Sequence, residues 1–233
     1  MYTARVVYVL AIATAFLATP FGPGGPESAH TAAPPDGPLV LVDSWAVDPQ
    51  ALVDSGGQVL ADYGNGLQLM RIPRSLVASA RSAPGVDFMT GRTSIDLYFS
   101  GVRFDSAIGA PVFSDDLQAS SPGAYLLQYV GPVRSEWVSE LERQGLEFDA
   151  YIASHAFVVR GSAAAVEAAK ASAYVQWVGV YHPGYKVSAD LLSRSGEVRV
   201  SVIGFAKASL AALQERVAAF GRVEQAWDYP PTV

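Results

Sequence analysis

The stretch Ala124–Gly161, AYLLQYVGPVRSEWVSELERQGLEFDAYIASHAFVVRG, decides the fold. AYLLQYVG is a short apolar run of strand length. PVRSEWVSELERQG follows with helical spacing, Ser135 placed as a cap and Trp137, Val138 and Leu141 on one face. LEFDAYIASHAFVVRG reads as two strands around Ala153-Ser154-His155. Beyond it, SAAAVEAAKASA predicts a second helix capped by Ser162, and YVQWVGVYH a closing strand with Val175, Trp177 and Gly179 alternating as its inward side. The order is β-α-β-β-α-β.

Upstream, the same order recurs. PLVLVDSW is a strand candidate, and Asp48-Pro49 opens a helix that Gly56-Gly57 ends. QVLADYGNGLQLMRIP gives two strands around Gly64-Asn65-Gly66, residues that tolerate positive φ. RSLVASARSAPG is a helix and VDFMTGRTSIDL a last strand. Leu67, Leu69, Met70 and Arg71 match Ala156, Val158, Val159 and Arg160, and the same offset carries Val86, Phe88 and Met89 onto Val175, Trp177 and Val178. A third copy starts at Glu197 with EVRVSVIGF, continues through the amphipathic AKASLAALQERVAAFG and stops after RVEQAWDYPP. Half a unit leaves an exposed sheet edge, so the expectation is that Val233 is not a natural end.

The pattern predicts an α+β chain of tandem ferredoxin-like units, two complete and a third partial. Each has an antiparallel sheet with helices on one face. The expected boundaries are a first unit over 39–99, a connector over 100–122, a second unit over 123–183, a connector over 184–196 and the partial unit over 197–233. Ahead of them, a single Arg5 and the apolar run Val6–Ala18 suit the hydrophobic region of a signal peptide over 1–18. That run is too short to cross a bilayer comfortably. Residues 19–38 collect Pro, Gly, Ser and Ala as a linker. The expected location is therefore secreted or extracellular.

Composition narrows the chemistry. The 233 residues carry a net charge of −6 and no Lys/Arg stripe, which argues against a nucleic-acid partner. Cysteine is absent, removing disulfides, thiolate metal sites and cysteine nucleophiles together. No two of His30, His155 and His182 share metal-ligand spacing, and no cofactor is expected. Asp115-Asp116 reads as the start of a short turn, and Glu136, Glu140 and Glu142 as the solvated side of a helix. The cluster in VQWVGVYHPGYKVS, with Tyr181, His182, Tyr185 and Lys186, reads as a junction and partner-contact surface rather than an active site.

One family shares these residues. Tyr125, Gln128, Gly131-Pro132-Val133, Glu136-Trp137, Tyr151-Ile152, Ala156 to Arg160, Trp177 to Gly179, Tyr181, Pro183, Tyr185 and Lys186 together resemble the N-terminal pro-region of secreted subtilisin-like serine proteases. RFDSAIGAP, Arg103–Pro111, resembles the connector of such pro-regions. The resemblance implies a non-catalytic role, in which a sheet face is presented to the protease, assists its folding and inhibits it. The partner would be a subtilisin-like protease domain, in cis or in trans. The protease's own D-[ST]-G, H-G-T-H and G-T-S-M signatures do not occur, so no enzyme activity is expected. The competing expectation is a stand-alone secreted protein-binding module.

Overall fold

The computed structural model describes residues 7–9, 30–31, 37–89, 92–98, 100–120, 122–205 and 208–226. In chain order the first elements are β1 (Val7–Val9), β2 (His30–Thr31), β3 (Leu39–Asp43), α1 (Pro49–Asp54), β4 (Gln58–Asp62), β5 (Leu67–Arg71), α2 (Val77–Ser82) and β6 (Val86–Phe88). A hairpin follows, β7 (Ser94–Leu97) and β8 (Val102–Asp105). Then come β9 (Ala124–Tyr129), α3 (Ser135–Arg143), β10 (Glu147–Ile152), β11 (Ala156–Arg160), α4 (Ala163–Lys170) and β12 (Val175–Val180). The last are α5 (Ala189–Leu192), β13 (Val200–Val202) and α6 (Leu210–Ala218). Beyond the two short strands β1 and β2 and the last two linker residues, Gly37 and Pro38, the expected signal peptide and linker lie outside the described residues.

The chain is a mixed α+β structure with antiparallel sheets. The order β4-β5-β3-β6 in the first sheet is matched by β10-β11-β9-β12 in the second, with β2 added beyond β12. A register shift between Val59 and Ala61 in β4 is matched by one between Phe148 and Ala150 in β10. Each bulge turns one residue out of the ladder. Local chemistry sets the helix starts: Asp48 accepts from Gln50 N ahead of Pro49, and Ser162 accepts from Ala165 N. At α3 the cap falls on Arg134, which makes no side-chain cap bond, and Ser135 is the first helical residue.

Three apolar clusters hold the molecule. Val40, Val42 and Met70 pack under Leu52 and Val53 of α1 and Ala80 of α2. Tyr125, Leu127, Tyr129, Val159 and Val178 pack under Trp137 and Leu141 of α3 and Val166 of α4. The same cluster takes in Ala61, Leu69 and Met89, so the far face of the first sheet is joined to the second body. Gly131 makes that join close: a Cβ there would stand 3.0 Å from Leu69 Cδ2. Tyr63 Oη donates to Pro132 O at 2.7 Å across the same seam.

Three expectations change. VDFMTGRTSIDL is not one strand, since β6 ends at Phe88 and β7 begins a separate hairpin with β8 that straddles the expected boundary at residue 99. In the third unit β13 and α6 form, but β13 pairs in parallel with β1, and Arg222–Ala226 carries no strand. Residues 227–233 lie outside the described residues. Finally, Val175 and Trp177 do not share a face. A register shift between them sends Val175 toward the helices and Trp177 to the opposite side.

Candidate functional site

The second sheet has two buried faces. All six residues of β9 are buried, as expected for a strand covered on both sides. Tyr125, Leu127 and Tyr129 face the helices, and Ala124 and Leu126 face away with Ala156, Val158 and Trp177. The cover on that second side is the chain's own preceding segment. Ile95, Leu97 and Phe104 of the hairpin, and Ala110 and Phe113 of the connector, pack onto it, with Tyr185 and Phe205 closing its margins. Burying a side chain of this size stabilises by about 1.5–3 kcal/mol, so a bare face would be a large apolar liability.

A buried polar side chain ties down the hairpin end of the cover. Gln128 is 0% exposed and uses both ends of its amide. Its Oε1 accepts from Ser106 Oγ at 2.6 Å and from Gln176 Nε2 at 2.8 Å. Its Nε2 donates to Arg92 O at 3.2 Å and Ser154 O at 3.1 Å. The two ends of the hairpin, strand β12 and the β10–β11 turn thus meet at one amide. Ser154 and His155 hold φ of 65° and 62°, the left-handed conformation that lets a tight turn direct the Ser154 carbonyl inward.

Aromatic packing fixes the other end. Phe113 meets Tyr185 edge-on at 4.8 Å, Phe104 stacks on Tyr185 at 5.7 Å and meets Trp177 edge-on at 5.5 Å. Gly179 has no Cβ because the Trp177 indole lies along its own strand there, 2.4 Å from where that atom would be. His182 Nδ1 accepts from Ala119 N at 3.1 Å, fixing an imidazole unprotonated at that nitrogen. Burial, helped by the Lys186 charge, holds the His182 pKa below the usual histidine value.

The structure brings Tyr181, His182, Tyr185 and Lys186 together. Tyr181 and Tyr185 stack at 5.9 Å, and Lys186 Nζ lies 5.1 Å from the Tyr181 ring centre. As a surface for a separate partner, however, the two tyrosines are inaccessible: they are 4% and 1% exposed. What Tyr185 and His182 meet is the 113–119 stretch of the same chain. Burial raises both phenol pKa values and pushes Lys186 down to about 8. His155 sits at its turn with its pKa lowered by burial and by Arg92, and Asp115-Asp116 opens a single 3-10 turn.

At the bulge of β10, Asp149 turns a carboxylate that is 0% exposed under Arg160, which holds it through Nε and, at 3.0 Å, Nη2. Arg160 also reaches Glu147 at 3.0 Å. Among the described residues no group of histidine, aspartate and glutamate side chains converges in a metal-binding arrangement. The arrangement is a framework that closes a sheet face.

Gln128 and Trp177 stood among the family-like residues, but their roles as hub and cover contact did not follow from sequence. A lone glutamine inside AYLLQYV was the available signal, since a polar group in a buried strand must find partners.

A family model described as a domain of unknown function (DUF8729) matches residues 98–182, a span that takes in β8, the connector and the second sheet through β12. No curated protein and no solved structure matches the chain.

Proposed function

We propose that this chain is a non-catalytic pro-region of a secreted subtilisin-like serine protease precursor. In this reading it is built of ferredoxin-like βαββαβ units and assists the protease's folding, inhibits it, or does both. The observation that carries the reading is the strand order common to the two sheets, with the first strand central between the third and fourth in each. The family-like residues support it from the side of packing: Tyr125, Gln128, Trp177, Tyr181 and Tyr185 are all framework residues buried in the second body. Physically, a module that binds the native protease and not its unfolded chain shifts the folding equilibrium by mass action, more so when tethered.

The closure of the second sheet's far face by the chain's own connector weighs against presentation of that face to a protease, and the alternative reading is a stand-alone secreted binding module that uses another surface. A face already covered is not on offer to a protease unless the cover leaves.

The full chain added in trans to a denatured bacterial subtilisin-type protease separates the two readings. The pro-region reading expects a higher yield of active enzyme and a complex with active-site-blocked protease at micromolar concentrations, without peptide hydrolysis by the chain alone. Unchanged recovery together with no complex at those concentrations moves the assignment to the binding module.

A further inference from the structure

Between the buried Ser106 and the packed ring of Phe113 the chain leaves the sheet. Ile108 and Val112 are 88% and 93% exposed although both are large and apolar. From Gly109 to Ser114 no helix or strand forms. Among the described residues, the backbone amides of Ala110, Val112 and Phe113 donate to no acceptor. A Cβ built on Gly109 meets nothing within 4 Å, so the chain there is open to an approaching molecule. An endopeptidase must draw its substrate into an extended strand and seat one side chain in a pocket. Exposed segments with few internal hydrogen bonds yield to that demand first.

We infer that the Ile108–Gly109 peptide bond is a proteolytic processing site for an endopeptidase whose pocket accepts a branched aliphatic side chain. Hydrolysis adds one water across the C–N bond, leaving a carboxylate on Ile108 and an amine on Gly109. The neighbouring bonds suit the reaction less. Ala110 is followed by Pro111, whose ring fixes φ and fits a protease cleft poorly on the leaving side. Val112 is followed by Phe113, whose ring is held against Tyr185 and over Gly184. Around Ile108 the restraints all come from Asp105: its carboxylate accepts from Ala107 N at 2.9 Å, and its carbonyl from Ile108 N and Gly109 N at 3.0 Å. Ala107, Ile108 and Gly109 are exposed, so water replaces these bonds readily.

Cleavage leaves the molecule assembled. Residues 1–108 carry the first sheet, the hairpin and the short strand β2, and residues 109–233 the other four strands of the second sheet. The two parts stay joined through Tyr63 and Pro132, Leu69 and Gly131, Ser106 and Gln128, and the apolar cover itself. The inference is independent of the pro-region reading, because it concerns the chain as a substrate of any endopeptidase with that preference.

The test is brief digestion of the folded full chain by an elastase, with masses read by mass spectrometry and size read on a native column. The expected result is a cut after Ile108 with 39–105 and 122–185 left whole, two bands on a denaturing gel and one unchanged native peak. In Ile108→Asp the cut at this bond slows at least about tenfold. Early cuts confined to Ser193–Arg199 or falling inside the two sheets, or an Ile108→Asp variant nicked at the parental rate, overturn the site. Separation of the two pieces on the native column overturns their retained association.

Discussion

Phe113 occupies the volume that a side chain on Gly184 would need: a Cβ there would lie 2.3 Å from Phe113 Cδ1. Gly184 φ is not in the left-handed region, so the exclusion is one of space and not of backbone strain. Gly184→Ala is therefore expected to push the ring off and destabilise by about 1–3 kcal/mol through overpacking. Phe113→Ala removes the obstacle, and the double variant is expected to be no less stable than Phe113→Ala alone. Urea midpoints for the four proteins of this cycle check it. Additive losses would mean that the two positions do not share one site.

Gln128 concentrates four partners in a dry interior. Gln128→Leu fills the same volume but leaves Ser106 Oγ, Gln176 Nε2 and the carbonyls of Arg92 and Ser154 without their amide partner. The expected loss is about 2–4 kcal/mol, well above the roughly 1 kcal/mol expected of Ser106→Ala. Hydrogen exchange gives the finer readout: in Ser106→Ala the β7–β8 amides lose protection ahead of those of β9.

Arg160 and Asp149 are expected to behave asymmetrically. Arg160→Ala abandons a buried carboxylate and should destabilise by about 3–5 kcal/mol. The Nε and Nη2 fork is what matches the carboxylate, so Arg160→Lys should recover only part of that loss. Chemical denaturation of both variants at neutral pH decides it. An Arg160→Lys protein as stable as the parent would show that charge alone suffices.

His155 and His182 both have folded pKa values lowered by burial. The unfolded chain therefore takes up protons first as pH falls below the ordinary histidine value of about 6.5. Stability is full above that value and is lost as pH falls toward the folded pKa values. At His182 the same protonation removes the acceptor for Ala119 N. Denaturation midpoints measured near pH 7.5 and near pH 5.5 should show the loss, and His182→Asn, which retains an acceptor without titrating, should reduce it. Lys186 carries the same sign at higher pH: its folded value of about 8 lies below the unfolded one, so stability should rise between about pH 8 and pH 9.5.

Much of both sheets and their helices was legible in the sequence because the local signals agree with the long-range contacts. Asp48, Pro49 and Ser162 cap helices as their residue types require, and the turn at Ala153–His155 falls between the expected strands. The hairpin was not legible. TSIDL and VRFD are short, and their apolar residues alternate no better than those of a strand end or a connector. What makes them a hairpin is burial of Ile95, Leu97 and Phe104 on a sheet that comes later in the chain. The partner-contact reading of Tyr181 and Tyr185 met the same limit: aromatic composition marks a contact surface, while tertiary packing decides whether the contact is internal. Trp177 shows how small the decisive event can be, since one bulged residue in β12 moved it to the other face of the sheet.

The covering hairpin is also translated before the surface it covers. Phe104 leaves the ribosome 73 residues ahead of Trp177. At roughly 5–20 residues per second this leaves the apolar edge of the hairpin waiting about 4–15 s for its binding face. During that interval the nascent chain displays Ile95, Leu97 and Phe104 with nowhere of their own to go, a span in which a chaperone has time to engage and release them.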